Sequence, residues 1–289
     1  MPLAKQNPLP FLLPSLLVIA LIFGYPLVQL FLLSVQSTGQ TPHFIGIRNY
    51  ESLLRDPTFL NAIRHNAFLL LGVPMTVVLA LILAILLYER IPGWKVYRFA
   101  LFMPFALAVP VVGIAFSIIL QFNGPLNTAL RAAGLTRIAL DWLGSASLAL
   151  PSLLGVIVWR NMAFGVVLFL ARLMTIEEQL IDAAKIDGAS WSQLVRSVLI
   201  PQVGTVTIFF SIVMVTNMLS WVFNFVYVMT SGGPGNSTTV TEYYIYRTLF
   251  QYQLPNLASA AGCLIFAILG VGIAVWFFRY SDFLDVGID

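Results

Sequence analysis

Charge is what this sequence has least of. Only 9% of its 289 residues are Asp, Glu, Lys or Arg, where a soluble domain carries about 25%. With 59% apolar residues and a mean hydropathy of +0.91, the chain cannot cover a water-facing surface, so most of it must have lipid as its solvent. The lone cysteine, Cys263, lies inside an apolar run, which excludes an intrachain disulfide framework. A net charge of +3 with no run of four basic residues excludes a nucleic-acid surface. Lys5, Lys95 and Lys185 follow Ala4, Trp94 and Ala184, so no Gly-x4-Gly-Lys phosphate loop exists. His43 and His65 stand alone, which leaves no metal cluster, and no Gly-x-Ser-x-Gly elbow occurs. No catalytic residue, no metal site and no cofactor of its own are expected of this chain.

What the sequence does contain is six long apolar runs, at 9–35, 66–88, 99–122, 148–171, 203–230 and 254–278. Each is long enough to cross a hydrocarbon core of about 30 Å as a helix, which satisfies its own backbone hydrogen bonds. No alternation of the barrel type appears. The first run exceeds the 7–15 residues or so of a secretory signal, and no small-residue cleavage site follows it, so it is expected to remain as a helix. The expected fold is an all-α membrane protein of six transmembrane helices forming a single domain over 1–289. Prolines 74, 104, 110 and 151, in or at the ends of runs, are read as kinks.

Orientation follows from the basic residues. With both termini cytoplasmic, the inner side holds Lys5, Arg90, Lys95, Arg98, Arg172, Lys185, Arg196 and Arg279 against six arginines outside, and the short loop 89–98 carries three of them. Short loops are the ones that count for this rule. The outer connections 36–65 and 123–147 are long enough for surface helices near 49–55 and 127–133, and the third, Ser231–Ser237, is rich in turn formers.

The long cytoplasmic connection, 174–202, carries two capping-box patterns, Thr175-x-x-Glu178 and Ser190-x-x-Gln193, separated by Asp187-Gly188. The spacing predicts a helix from Ile176, a sharp turn at the glycine and a second helix that runs toward Pro201. Ile176, Leu180, Ala183 and Ala184 fall near one face of the first helix. The segment is acidic, which argues against its simply lying on an anionic leaflet.

The stretch Asp182-Ala183-Ala184-x3-Gly188-x9-Val198-Leu199-Ile200-Pro201 resembles the coupling-loop motif of ABC-importer permeases, Glu-Ala-Ala-x3-Gly-x9-Ile-x-Leu-Pro. Both alanines, the glycine and the proline match, while Asp182, Val198 and Ile200 are conservative departures. The segment from Tyr227 to Thr239 followed by Tyr244-Ile245-Tyr246, and Trp159-Arg160-Asn161 in the fourth run, are similar to the carbohydrate-uptake branch, the maltose- and glycerol-phosphate-type permeases. The resemblance covers nearly the whole chain. It implies a multi-pass protein of the prokaryotic plasma (inner) membrane that pairs with a second permease subunit as a heterodimer. It also implies two cytoplasmic subunits that bind ATP and Mg, and an extracytoplasmic solute-binding protein. Leu180, Asp182, Ala183, Ala184, Asp187, Gly188 and Ala189 would then dock on the ATPase.

Polar groups within a span are costly and mark pathways by default. Asn217, Ser220, Trp221 and Asn224 fall on one face of a continuous helix, with Tyr227 a turn beyond. Amides and a hydroxyl beside an aromatic plate suit a sugar ring, although such groups also bridge helices. Arg160, the lone charge inside a run, either lines the path with Asn161 or pairs structurally. The sequence leaves three functions open: a sugar importer subunit, the same machine for an amino acid, polyamine or phosphate, and a stand-alone secondary transporter. The last is disfavoured because no Asp or Glu lies in any run.

Overall fold

The computed structural model describes residues 9–39, 41–89 and 92–284. Both chain ends, with Lys5, and Arg90 in the short basic loop fall outside them, and with them the ends whose sidedness the charges address. Among the described residues the regular secondary structure is helical, apart from one isolated bridge between Gln36 and Phe44, and turns and irregular segments join the helices.

In chain order the helices are α1 (Phe11–Ser34), α2 (Arg48–Arg55), α3 (Pro57–Tyr88), α4 (Trp94–Ala106), α5 (Val109–Ile119) and α6 (Pro125–Ala132). They continue with α7 (Ala149–Leu173), α8 (Glu178–Ile186), α9 (Trp191–Gln202) and α10 (Gly204–Ser220), α11 (Val222–Met229), α12 (Thr241–Tyr246) and α13 (Pro255–Leu284). Among the described residues α1, α3, α7 and α13 are each long and apolar enough to cross a membrane, and the total reaches six if two bent pairs count as spans.

Those pairs are where the expected continuous runs change. The run 99–122 is broken between α4 and α5, whose axes meet at 105°. Leu107 and Ala108 are extended there, and Pro110 stands in the first turn of α5. A proline clashes with the carbonyl four residues back and has no N–H to give, so α4 cannot run through it, whereas the first turn of a new helix accepts it. Pro110 therefore starts a helix rather than kinking one. Pro104 stays inside α4 and Pro151 lies in the first turn of α7. The second pair, α9 and α10, bends by 65°. The fifth run is interrupted again at Trp221, which ends α10 and precedes α11 with φ −112° and ψ −6°.

The chain divides into two compact units. One comprises 1–60 and 244–289. Within it α13 packs on α1 and α2, fixed by Asn256 Nδ2 donating to the Leu33 carbonyl at 3.0 Å and by the Ser34 and Tyr50 hydroxyls 2.7 Å apart. Tyr244 donates to Asp56 Oδ2 at 2.7 Å. Most of the large side chains of α1 are exposed, among them Phe11, Phe23 and Phe31.

The other unit, 61–243, is centred on α7, which packs against α3, α4, α10 and α11. Small residues bring the backbones together, as is usual where lipid removes the hydrophobic drive between helices. Ala80 and Ala84 on α3 are wholly buried. A Cβ on Gly165 of α7 would stand 2.5 Å from Phe210 of α10 and 2.7 Å from Ala80. Phe210 in turn meets Phe164 and Phe169 edge-on at 5.9 and 5.7 Å between centroids. Side chains of α3, α7 and α10 interdigitate here, and α4 of the other broken pair packs on α7 as well.

Candidate translocation cavity and elbow

Breaking α4 at Leu107 frees a backbone carbonyl inside an apolar environment, where an unmet acceptor is expensive. Arg160, midway along α7, supplies the donor: its Nη2 reaches the Leu107 oxygen at 3.1 Å. The guanidinium also lies 5.7 Å from the centre of the Phe105 ring. Pairing and lining are thus not alternatives for this residue, because Arg160 also faces a cavity of about 350 Å³. Asn161, Asn217, Trp221, Phe105 and Phe164 share that wall. Four of the residues expected from sequence to line a path, on two different spans, therefore meet at one hollow. It joins amide groups, a guanidinium and an indole, the groups that hydrogen-bond hydroxyls and cover a ring face.

Ser220, Asn224 and Tyr227 are not among the cavity residues. Ser220 shares α10 with Asn217 but does not line the cavity, whereas Asn224 and Tyr227 follow the interruption at Trp221, where the register of one continuous helix ends. Ser220 is exposed and Asn224 half-buried. The Tyr227 ring stacks on Phe223 at 5.5 Å and lies 6.5 Å from Tyr243.

The connection from α7 to α10 folds as helix, glycine, helix. The first helix begins at Glu178 rather than Ile176: the Thr175 hydroxyl turns back to donate to the Arg172 carbonyl at 2.8 Å, so the first capping box does not form. Its buried residue is Ile181, while Leu180, Asp182, Ala183, Asp187 and Gly188 are exposed and Ala184 and Ala189 half-buried. Gly188 adopts φ +78°. Its N–H donates to the Lys185 carbonyl at 3.0 Å, and that of Ala189 to Ala184 at 3.0 Å. This pair of bonds is a Schellman ending, which needs a left-handed residue at the position Gly188 occupies. The second capping box does form, with Gln193 Oε1 accepting from the Ser190 N–H at 2.7 Å and its hydroxyl at 2.8 Å. Ile186 and Trp191 add large exposed apolar surface beside the glycine, with Ile186 86% exposed.

Two features went unread in the sequence. Arg172, at the end of α7, donates from Nε to the Gln202 carbonyl at 2.9 Å and from Nη2 to Gln202 Oε1 at 3.0 Å. It thereby ties the two ends of the elbow. Its position in the last turn of a span was the available signal. At the other end of the unit Asn66 accepts from the Thr241 N–H at 2.9 Å and donates to Glu242 Oε2 at 3.3 Å. His65 Nδ1 lies 2.7 Å from the Thr239 carbonyl oxygen. The turn-rich loop folds back on itself, with the Thr238 hydroxyl donating to the Gly233 carbonyl at 2.8 Å. Burial pushes the Glu242 carboxyl above its usual range, and its hydrogen bonds offset part of that rise. Among the described residues no group of three or more His, Cys, Asp or Glu could hold a metal ion.

Three comparisons bear on this arrangement. The family of binding-protein-dependent transport system inner membrane components matches over residues 76–283, which take in the cavity and the elbow. The multiple sugar-binding transport system permease protein MsmF of Streptococcus mutans is 30% identical over 90% of this chain and 90% of its own length. The lactose transport system permease protein LacF of Rhizobium radiobacter is 30% identical over 87% and 85%. A subunit of a bacterial ABC transporter involved in alginate import has the same fold, with a TM-score of 0.77 across 94% of both chains at 21% identity. The chain belongs to the binding-protein-dependent inner-membrane family.

Proposed function

From that membership as premise, we propose that this chain is one of two permease subunits of an ATP-driven importer of a sugar or sugar-like solute. It sits in the inner membrane of a prokaryote with both termini in the cytoplasm. The observation that carries the sugar assignment is the meeting of Asn161, Asn217, Arg160 and Trp221 on one cavity within the apolar helices. The relatives whose names specify multiple sugars and lactose support it. A second permease completes the path, and a solute-binding protein delivers cargo from outside.

ATP and Mg belong to two partner subunits. The exposed elbow, with Leu180, Asp182, Ala183, Ala184, Asp187, Gly188 and Ala189 at or beside its turn, docks in a groove on one of them. Closure of the ATPase pair pushes the elbow, and the Arg172–Gln202 tie passes that movement to α7 and α10, the two helices that carry the cavity's polar side chains. Affinity purification of the tagged chain in mild detergent, with mass spectrometry of what accompanies it, tests the assembly. An ATP-binding subunit and a second permease are the expected companions. A chain that elutes alone contradicts the proposal.

A further inference from the structure

Among the described residues Arg160 is the one charged residue on the cavity wall, and little around it neutralises that charge. One of its five N–H donors meets an acceptor among the described residues, the Leu107 oxygen, while the buried Nε has none. Among the described residues no Asp or Glu lines the cavity, and none occurs in the six apolar runs. The break beside it contributes no net charge, because the negative C-terminal end of α4 and the positive N-terminal end of α5 meet there and their partial charges offset. A guanidinium that served only to cap a broken helix could point the remainder of its donors into protein or toward a carboxylate. Here they are left beside an opening large enough for a small ligand.

We propose that the cavity selects acidic saccharides, a sugar ring bearing a carboxylate or phosphate group. The anion faces Arg160, the ring lies against Trp221, and Asn161 and Asn217 hydrogen-bond the hydroxyls. This rests on the function proposed above and narrows its substrate class. The discrimination comes from charge: a neutral hydroxyl leaves the guanidinium's charge unmatched, whereas a carboxylate or phosphate oxygen neutralises it and can accept two parallel N–H bonds from the planar fork. A neutral sugar would still use the amides and the indole, only less tightly.

Binding of galacturonate, glucose 6-phosphate and glucose to the purified complex, followed by calorimetry at fixed ionic strength, tests this. At least one acid binds ten or more times more tightly than glucose, and comparing the two tells carboxylate from phosphate. Arg160→Gln brings acids and glucose within twofold, Arg160→Lys keeps the preference for acids, and Asn217→Ala weakens all three. A merely structural role for Arg160 would move acids and glucose together. Glucose within twofold of both acids in the unaltered complex overturns the acidic preference and leaves sugar transport standing. Acetate or inorganic phosphate binding as tightly as the sugar acids overturns the saccharide part of the site. No binding of any of the three sugars overturns both this inference and the sugar function.

Discussion

Arg172 and Gln202, thirty positions apart in the chain, are joined by two hydrogen bonds of 2.9 and 3.0 Å at the root of the elbow. A third, from Arg172 Nη1 to the Thr175 hydroxyl at 3.0 Å, steadies the turn out of α7. The elbow is thus a loop with a closed base, tied between the end of α7 and the end of α9, just before the bend into α10.

Removing that base should be measurable. Hydrogen bonds from a charged donor contribute about 1.5–3 kcal/mol when buried, and partial exposure lowers this, so Arg172→Ala should destabilise the protein by about 1–2 kcal/mol. Gln202→Ala keeps the carbonyl acceptor and should cost less. The thermal unfolding midpoints of the two single variants and the double variant in mild detergent should be non-additive, as expected of residues in direct contact. Additive losses would mean that the pair does not act as a clamp.

Gly188 is a test of backbone chemistry separate from packing. Nothing lies within 4 Å of the position a Cβ would take, yet φ is +78°. Gly188→Asn should be tolerated, since Asn enters the left-handed region more readily than other side chains. Gly188→Val should strain the turn, and a large charged side chain such as Glu should also block docking. Both are expected to reach the membrane normally and to lose uptake and the accompanying ATPase subunit. Normal uptake by Gly188→Glu would remove the elbow from the coupling mechanism.

Glu242 predicts a pH dependence. Burial raises its folded-state pKa above the ordinary 4.5, so over the window from 4.5 upward to the raised value the folded chain keeps a proton that the unfolded chain has released. Stability contributed by this group therefore falls as pH rises through that window and levels off above it. Glu242→Gln, neutral at every pH, should gain on the parent protein as pH is raised. Unfolding midpoints of the two proteins measured from pH 4.5 to 8 check this, and a constant difference would contradict it.

Much of this was legible in the sequence, for definite reasons. Long apolar runs must be spans whatever their tertiary partners, and the runs at 66–88 and 148–171 lie within or almost coincide with α3 and α7. Gly188 and the Ser190–Gln193 box encode their turn and cap locally, and both form. Hydropathy could not reveal the break at Leu107, because Pro104 and Pro110 stand in the same apolar run and only one of them starts a new helix. Local pattern also failed at Thr175, whose hydroxyl found Arg172, a partner from the preceding helix. The cavity was half visible: Asn217 and Trp221 came from periodicity and Arg160 from its cost in lipid. Asn224 was grouped with them by a register that the interruption at Trp221 ends, while Ser220, ahead of that interruption on α10, is exposed and off the cavity wall.

The most direct measurement is uptake of a labelled saccharide into sealed vesicles holding the co-purified complex and its binding protein, with and without ATP. Accumulation that requires both ATP and the binding protein, and that Gly188→Glu abolishes, is the predicted result. Uptake by this chain alone, driven by an ion gradient with no ATP present, would contradict the account.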